Sequence, residues 1–220
     1  MSKIERISSE HEWLNACFEE IKSTIQDAEN KVYIALSGGS TPVPIYKKLS
    51  TYLNTLPGYI VDCIKFFIVD ERNVPLSSDR SNSRMVLEIF GGKNVYSFDP
   101  TQNTAENYSQ TMMDQLGTPV KFDLVILGCG DDGHTASLFP NTALLLDSTS
   151  GFKQNELPTG ELRFSLTYAT ILASKRQVIF VNNNAAKHSY FTELAMEESR
   201  APIHKIMQSN NAKVILHEAV

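Results

Sequence analysis

The sequence is poor in cysteine, and its cysteines are not paired. Among 220 residues there are only three, Cys17, Cys63 and Cys129, which are widely spaced and form no Cys-x-x-Cys motif. Small secreted domains depend on paired cysteines, whereas cytosolic proteins keep their thiols reduced. The spacing therefore argues against a disulfide scaffold and predicts free thiols in a cytoplasmic protein.

Long hydrophobic runs and clusters of positive charge are also missing. No apolar run approaches the roughly 20 residues that a membrane-spanning helix needs, and residues 1–6 contain no apolar signal-peptide core. The formal net charge is −5, with no cluster of lysine and arginine, which argues against a nucleic-acid surface. We therefore expect neither a membrane nor a nucleic acid as a partner, and the sequence leaves protein partners unknown.

The sequence also lacks metal-binding motifs. Its five histidines form no His-Glu-x-x-His or His-x-His motif, and no Cys/His grouping has the spacing of a zinc site. We expect four of them to be surface or packing residues: His11, His188, His204 and His217. The sequence thus predicts neither a bound metal nor any other cofactor.

What the chain does contain is an alternation of strand and helix patterns. Buried strand patterns occupy residues 31–36, 63–69, 122–127, 162–167, 177–181 and 213–217. Helical patterns occupy residues 9–30, 42–49, 84–90, 104–116 and 185–198. Because such alternation forms βαβ units with right-handed crossovers, we predict an α/β fold, a mostly parallel sheet flanked by helices. No linker-like segment interrupts the chain, so we expect a single domain over residues 1–220.

The densest chemistry lies in residues 128–140, which read GCGDDGHTASLFP directly after a predicted interior strand. Ligands in open α/β sheets bind at the carboxyl ends of the strands. His134 is the type of side chain that takes and returns a proton near neutral pH. We expect it to act as a general acid–base, with Asp132 or, alternatively, Asp70 orienting its ring.

The first six residues of this stretch match the dinucleotide-binding pattern G-x-G-x-x-G, but the context argues against it. Pro140 ends any following helix early, and no second strand ends in an acidic residue about twenty positions on. We therefore do not expect a dinucleotide.

Two more predicted strands end in polar residues. Residues 37–42 read SGGSTP, where two glycines before a helix let the backbone approach an anion, most simply a phosphate. The alternative is a plain capped helix start. Residues 70–72 read Asp-Glu-Arg, and Arg72 could bind an anion or form a surface ion pair. Arg163 and Lys187 could add positive charge, although most such side chains are simply solvated.

Taken together, SGGSTP, the Asp-Glu-Arg triplet, Ser81-Asn82 and the DGHTASLFP run resemble the 6-phosphogluconolactonase family, grouped in one superfamily with the glucosamine-6-phosphate deaminases. The resemblance spans about residues 37–187. It implies a modified Rossmann-like fold, hydrolysis of 6-phospho-D-glucono-1,5-lactone in the oxidative pentose phosphate pathway, and no metal. By position, it places the catalytic histidine on His134. It also implies phosphate ligands at Ser37, Gly38, Gly39, Thr41, Arg72, Arg163 and Lys187.

Two rival functions remain for comparison. The deaminase relatives carry a glutamate before the proline of the motif, whereas this chain has Phe139, so hydrolysis is favoured over ring opening and isomerisation. A sugar-phosphate sensor that regulates transcription would need an attached DNA-binding module. The chain has neither the spare length nor the basic charge for one.

Overall fold

A seven-stranded parallel sheet forms the centre of the computed structural model, which describes residues 3–92, 94–192 and 201–219. Its strand order is β1-β10-β9-β6-β2-β3-β5, and every neighbouring pair runs parallel. The strands of the protein are β1 (Lys3–Ile7), β2 (Val32–Leu36), β3 (Ile64–Ile68), β4 (Asp70–Arg72), β5 (Val95–Tyr96), β6 (Leu124–Leu127), β7 (Phe152–Glu156), β8 (Leu162–Leu166), β9 (Gln177–Val181) and β10 (Ala212–His217). The prediction of a mostly parallel α/β sheet is confirmed.

Five of the helices in the described residues begin close to where the apolar patterns predicted a helix. The helices of the described residues are α1 (Glu10–Gln26), α2 (Val43–Leu53), α3 (Gly58–Val61), α4 (Asn82–Phe90), α5 (Ala105–Leu116), α6 (Tyr168–Ala173), α7 (Ala185–His188) and α8 (Pro202–Met207). Of these, α3, α6 and α8 were not predicted. The side chain of Ser9 accepts a hydrogen bond from the backbone of Glu12 and starts α1 as predicted. The helix ends at Gln26 rather than near Asn30, because Ile25 is its last buried apolar residue.

The interior strands are apolar because helices cover both faces of the sheet. Every residue of β6 and of β9 is buried, which explains why these strands read as continuous rather than alternating apolar runs. Since all strands of this sheet are parallel, the carboxyl ends of β2, β3, β6 and β9 meet at one edge. The loops that leave those four ends carry the polar residues singled out above.

A second sheet, antiparallel and three-stranded in the order β4-β8-β7, was not predicted. The Asp-Glu-Arg triplet, expected to be a loop, is β4, and the strand pattern at 162–167 is β8, which pairs with β4 instead of joining the central sheet. The sequence of β7, FKQNE, does not predict a strand, because only Phe152 and Asn155 are buried and the segment is mostly polar. The charged edge strand β1 was missed for a similar reason.

The helix expected over residues 185–198 is shorter than predicted. α7 ends at His188 and a 3₁₀ turn follows over Ser189–Phe191, while residues 193–198 of the predicted helix lie outside the described residues. Asn184 caps α7 with its side chain, as its amide oxygen accepts a hydrogen bond from Ala186.

A buried carboxylate joins β4 of the second sheet to the start of α4. Glu71, in the middle of β4, is completely buried and accepts hydrogen bonds from the backbone N–H groups of Asn82 and Ser83, at 2.8 and 2.7 Å. It also accepts from the Ser81 hydroxyl and from the N–H of Arg72. Burial raises the pKa of Glu71, while these hydrogen bonds oppose that shift. Side chains alternate along a strand, so anchoring Glu71 fixes Asp70 and Arg72 on the opposite face.

We predict that Glu71→Ala lowers the free energy of unfolding by at least about 3 kcal/mol, because several buried donors lose their acceptor at about 1–3 kcal/mol each. Denaturant titration measures this loss. Glu88→Ala on α4 is the matched control, since Glu88 is exposed and forms a surface ion pair of small energetic effect with the nearby Arg84. Equal stability of Glu71→Ala and the parent protein would contradict the anchoring role.

Candidate active site

The loops at the carboxyl edge of the sheet enclose a cavity of about 250 Å³. Loops after β2, β3, β6 and β9 all contribute to it, as expected for an open α/β sheet. Of the ten site residues predicted from the sequence, eight line this cavity: Ser37, Gly38, Gly39, Thr41, Asp70, Arg72, His134 and Lys187. Asp132 and Arg163 lie in contact with residues of the site, as described below.

His134 and Asp132 form a hydrogen-bonded pair. Oδ1 of Asp132 lies 2.5 Å from Nδ1 of His134 and also accepts the backbone N–H of His134, at 3.1 Å. This local turn requires the intervening Gly133, whose φ is +76°. Because Nδ1 is hydrogen-bonded to Asp132, Nε2 is the ring nitrogen that could exchange a proton with a ligand. Nε2 makes no hydrogen bond within the described part of the chain.

The charge of Asp132 suits this arrangement. Partial burial tends to raise the pKa of its carboxyl group, but the hydrogen bond from the His134 backbone and the nearby imidazole outweigh burial. The net result is a pKa below the usual value, so Asp132 is anionic at neutral pH. An anionic partner keeps the proton on Nδ1 and stabilises a positive charge on the ring.

The imidazole of His134 lies in a narrow slot. On one side, a Cβ atom added to Gly130 would come within 2.2 Å of Nδ1, which no side chain can tolerate. The ring of Phe139 also stacks on the imidazole, with centroids 4.0 Å apart and an angle of 21° between the planes. Thr135 closes the loop through a hydrogen bond to the carbonyl of Gly128.

Asp70 enters the same cavity but has a different partner. Its Oδ2 accepts a hydrogen bond from the hydroxyl of Ser137, at 2.8 Å, and both residues are buried. Burial raises the pKa of Asp70, against the opposing effects of Ser137 and of nearby Arg72 and His134. Of the two carboxylates expected to orient His134, Asp132 is therefore the one in hydrogen-bond contact.

The SGGST turn has the shape expected of an anion site. Gly39 adopts a φ of +90°, and a Cβ on Gly38 would fall 1.8 Å from the amide oxygen of Asn82, so glycine is required at both positions. The hydroxyl of Tyr46 holds the carbonyl of Ser37. The turn leads into the eleven-residue helix α2, whose first N–H groups lack helical partners.

Two arginines lie side by side on neighbouring strands of the second sheet. Arg72 of β4 is directly opposite Arg163 of β8, a juxtaposition that is unfavourable for like charges without an anion. The Nε atoms of both are buried and have no hydrogen-bond partner in the described residues. Other nitrogens of each guanidinium do have partners, because Arg72 donates to the carbonyl of Arg80. Arg163 donates to the carboxylate of Glu161. The unsatisfied groups are the buried Nε–H donors, whose burial costs free energy unless a ligand accepts from them. The pair is therefore suited to a phosphate or carboxylate.

Lys187 reaches the cavity from α7. Its Nζ lies 3.4 Å from the amide oxygen of Asn182, a long contact that leaves the ammonium group available to an anion. Arg163, by contrast, does not line the cavity itself. Its guanidinium carbon lies 5.9 Å from the centroid of the Phe139 ring.

Sequence reasoning assigned no role to three residues of the site. Ser137 holds Asp70, and Asn82 donates from its amide to the carbonyl of Asp70 at 2.7 Å. Ser137 and Asn82 both lie within the motifs that carry the family resemblance, so the motifs alone could have pointed to them. Cys129 lines the cavity, but burial raises the pKa of its thiol to about 12, so it is not a nucleophile at neutral pH.

Neither a metal cluster nor a membrane helix is found in the described part of the chain. No group of three or more His, Cys, Asp or Glu side chains there is arranged to hold a metal ion. No helix among those residues has the length and apolar character needed to cross a bilayer.

Comparison with known proteins agrees with this geometry. A family model described as glucosamine-6-phosphate isomerases/6-phosphogluconolactonase matches residues 8–216. The chain belongs to this family. A 6-phosphogluconolactonase from Chlamydia pneumoniae is 31% identical over 185 residues, covering 79% of this chain and 70% of the relative. A probable 6-phosphogluconolactonase from Dictyostelium discoideum is 33% identical over 230 residues, covering 92% of each protein.

Solved structures share the fold of this family member. A 6-phosphogluconolactonase from Trypanosoma cruzi matches with a TM-score of 0.86 at 24% identity, covering 99% of this chain and 94% of the other. One from Thermotoga maritima matches with a TM-score of 0.79 at 23% identity, covering 99% and 100%. The modified Rossmann-like fold expected from the sequence is thereby confirmed.

We predict that Gly130→Ala displaces the imidazole of His134 from its slot, because the added methyl group would overlap Nδ1 and Cε1. A crystal structure of the variant would show His134 rotated away from Asp132. Gly128→Ala is the matched control, as its Cβ would meet nothing within 4 Å. An unmoved imidazole in Gly130→Ala would contradict the slot.

Proposed function

We propose that this protein hydrolyses 6-phospho-D-glucono-1,5-lactone to 6-phospho-D-gluconate, a step of the oxidative pentose phosphate pathway. The observation that supports this proposal is the hydrogen-bonded pair of Asp132 and His134. His134 lines the same cavity as the SGGST turn and Arg72. The activity named for the curated relatives supports the same substrate.

His134 acts as the general base and then as the general acid. A lactone is an activated ester, so water attacks its C1 carbonyl while Nε2 of His134 takes the water's proton. The tetrahedral intermediate then collapses, the bond from C1 to the ring oxygen breaks, and the imidazolium returns the proton to that oxygen. Asp132 stabilises the imidazolium through Nδ1. General acid–base catalysis of this kind contributes about 10²–10⁴-fold to the rate.

The phosphate of the substrate is bound at the opposite end of the cavity from the reacting carbonyl. Its ligands are the Ser37–Thr41 turn with Gly38 and Gly39, together with Arg72, Arg163 and Lys187. The unpaired Nε atoms of the two arginines support this role. Holding the phosphate fixes the distance between C1 and His134, and such positioning lowers the entropic part of the barrier.

Phe139 favours hydrolysis over the other chemistry associated with this superfamily. Ring opening and isomerisation of an amino-sugar phosphate need a further acid–base group beside the histidine. The position before Pro140 holds Phe139, whose phenyl ring lies on the imidazole and cannot transfer a proton. We therefore propose that the protein releases no ammonia from glucosamine 6-phosphate.

We also propose which cofactors and partners the reaction uses and where in the cell it takes place. It involves no metal or other cofactor and no nucleic-acid partner. The cytoplasm is the proposed location, since Cys17, Cys63 and Cys129 are all free thiols. One domain over residues 1–220 is proposed as well, which the family match over residues 8–216 supports.

His134→Ala is expected to lower kcat by about 10²–10⁴-fold while KM stays within a few-fold, because a general base acts mainly in the transition state. The measurement follows acid release from freshly prepared lactone, with the spontaneous rate subtracted. His11→Ala, an exposed histidine on α1, serves as the control. More than half of the parent turnover in His134→Ala would refute the assignment.

Arg163→Ala and Lys187→Ala are each expected to raise KM by about tenfold or more, as the loss of a hydrogen bond to a charged group costs about 1.5–3 kcal/mol. Lys22→Ala, a change on α1 outside the cavity, provides the comparison. Steady-state kinetics on the phosphorylated and unphosphorylated lactones separates phosphate recognition from general damage. Equal efficiency on both lactones would rule out the proposed phosphate site.

A further inference from the structure

Phe139 lies close to both His134 and Arg163. Its ring stacks on the imidazole of His134, with centroids 4.0 Å apart, and the guanidinium carbon of Arg163 is 5.9 Å from the same ring. The phenyl group thus contacts the proposed base and one of the proposed phosphate ligands at the same time.

We propose that Phe139 is a positioning residue for His134. Its ring holds the imidazole in the orientation that leaves Nε2 for the substrate. This inference rests on the proposed function, because the orientation of Nε2 has a consequence only if His134 moves the proton.

One hydrogen bond does not fix the plane of a histidine ring. The bond from Nδ1 to Asp132 fixes one atom, but the ring can still tilt about that contact. The backbone of Gly130 limits the tilt on one side. Stacking on Phe139 adds a second restraint, because it favours a ring plane nearly parallel to the phenyl group.

The aromatic face also suits the charges around it. When His134 takes the proton of water, its ring becomes cationic, and the π face of an aromatic ring attracts a cation. Arg163 is permanently cationic. An aliphatic side chain at position 139 would occupy some of the space but would give neither cation an attractive surface.

The backbone around Phe139 does not depend on its ring. The carbonyl of Phe139 accepts a hydrogen bond from the hydroxyl of Thr142, and the carbonyl of Ser137 accepts one from the amide of Asn155. The ring itself is only partly buried. Replacing the ring should therefore change the position of His134 without unfolding the loop, which makes the proposal testable.

The test compares Phe139→Leu with Phe139→Tyr, which keeps the aromatic face. For Phe139→Leu we expect kcat to fall about tenfold to a hundredfold with KM within threefold, since misplacing a catalytic group by about 1 Å has an effect of this size. Phe139→Tyr should keep more than half of the parent kcat. A purely structural role would instead lower the melting temperature of Phe139→Leu and leave the kcat of its folded fraction unchanged.

Proton NMR of the His134 ring gives a readout that does not depend on turnover. The ring current of Phe139 shifts the His134 ring protons upfield. In Phe139→Tyr this shift should persist, since an aromatic ring remains. In Phe139→Leu that shift is lost wherever the imidazole lies, so the position of the ring is measured from the solvent exchange of the Nδ1–H proton bonded to Asp132, which should become faster. Unchanged kcat and unchanged Nδ1–H exchange in Phe139→Leu would overturn the inference. An inactive parent protein would instead overturn the proposed function, while the resonances would still report whether the ring is stacked.

Discussion

The candidate site depends on one local interaction, the acceptance of two hydrogen bonds by Oδ1 of Asp132 from the backbone and the ring of His134. Three consecutive residues create it, since Gly133 supplies the turn between acid and base. The interaction sets which ring nitrogen is occupied, and therefore which one meets the substrate. It also leaves Asp70 free of that task and bonded to Ser137.

Buried polar contacts connect the loop that holds His134 to the other residues of the cavity. Ser137 lies three residues after His134 and joins the loop to β4 through Asp70, while Glu71 joins β4 to the start of α4. Asn82, the first residue of that helix, packs against Gly38 in the SGGST turn. His134, the two aspartates and the SGGST turn are thus connected through a series of buried contacts, whereas the Nε atoms of Arg72 and Arg163 have no hydrogen-bond partner in the described residues.

The central sheet was predictable because burial on both faces leaves a continuous apolar run, as in β6 and β9. The antiparallel sheet was not, because β7 is mostly polar and its pairing with β8 connects residues whose contact no local pattern reveals. At the site, the sequence offered Asp132 and Asp70 as alternative partners of His134, and the structure places Asp132 in hydrogen-bond contact with its ring. Arg72 and Arg163 lie opposite each other because of the register between two strands that are far apart in the sequence, which no local pattern reveals. The stacking of Phe139 on His134 depends on the conformation of the loop after β6.

The central claim is that one cavity holds the phosphate at the glycine turn and the arginines while presenting C1 to His134. A crystal structure with 6-phospho-D-gluconate bound tests it most directly. We predict the phosphate within hydrogen-bond distance of Gly39 or Thr41 and of Arg72, with the new carboxylate at C1 facing Nε2 of His134. A product bound in the reverse direction, or bound away from His134, would contradict the account.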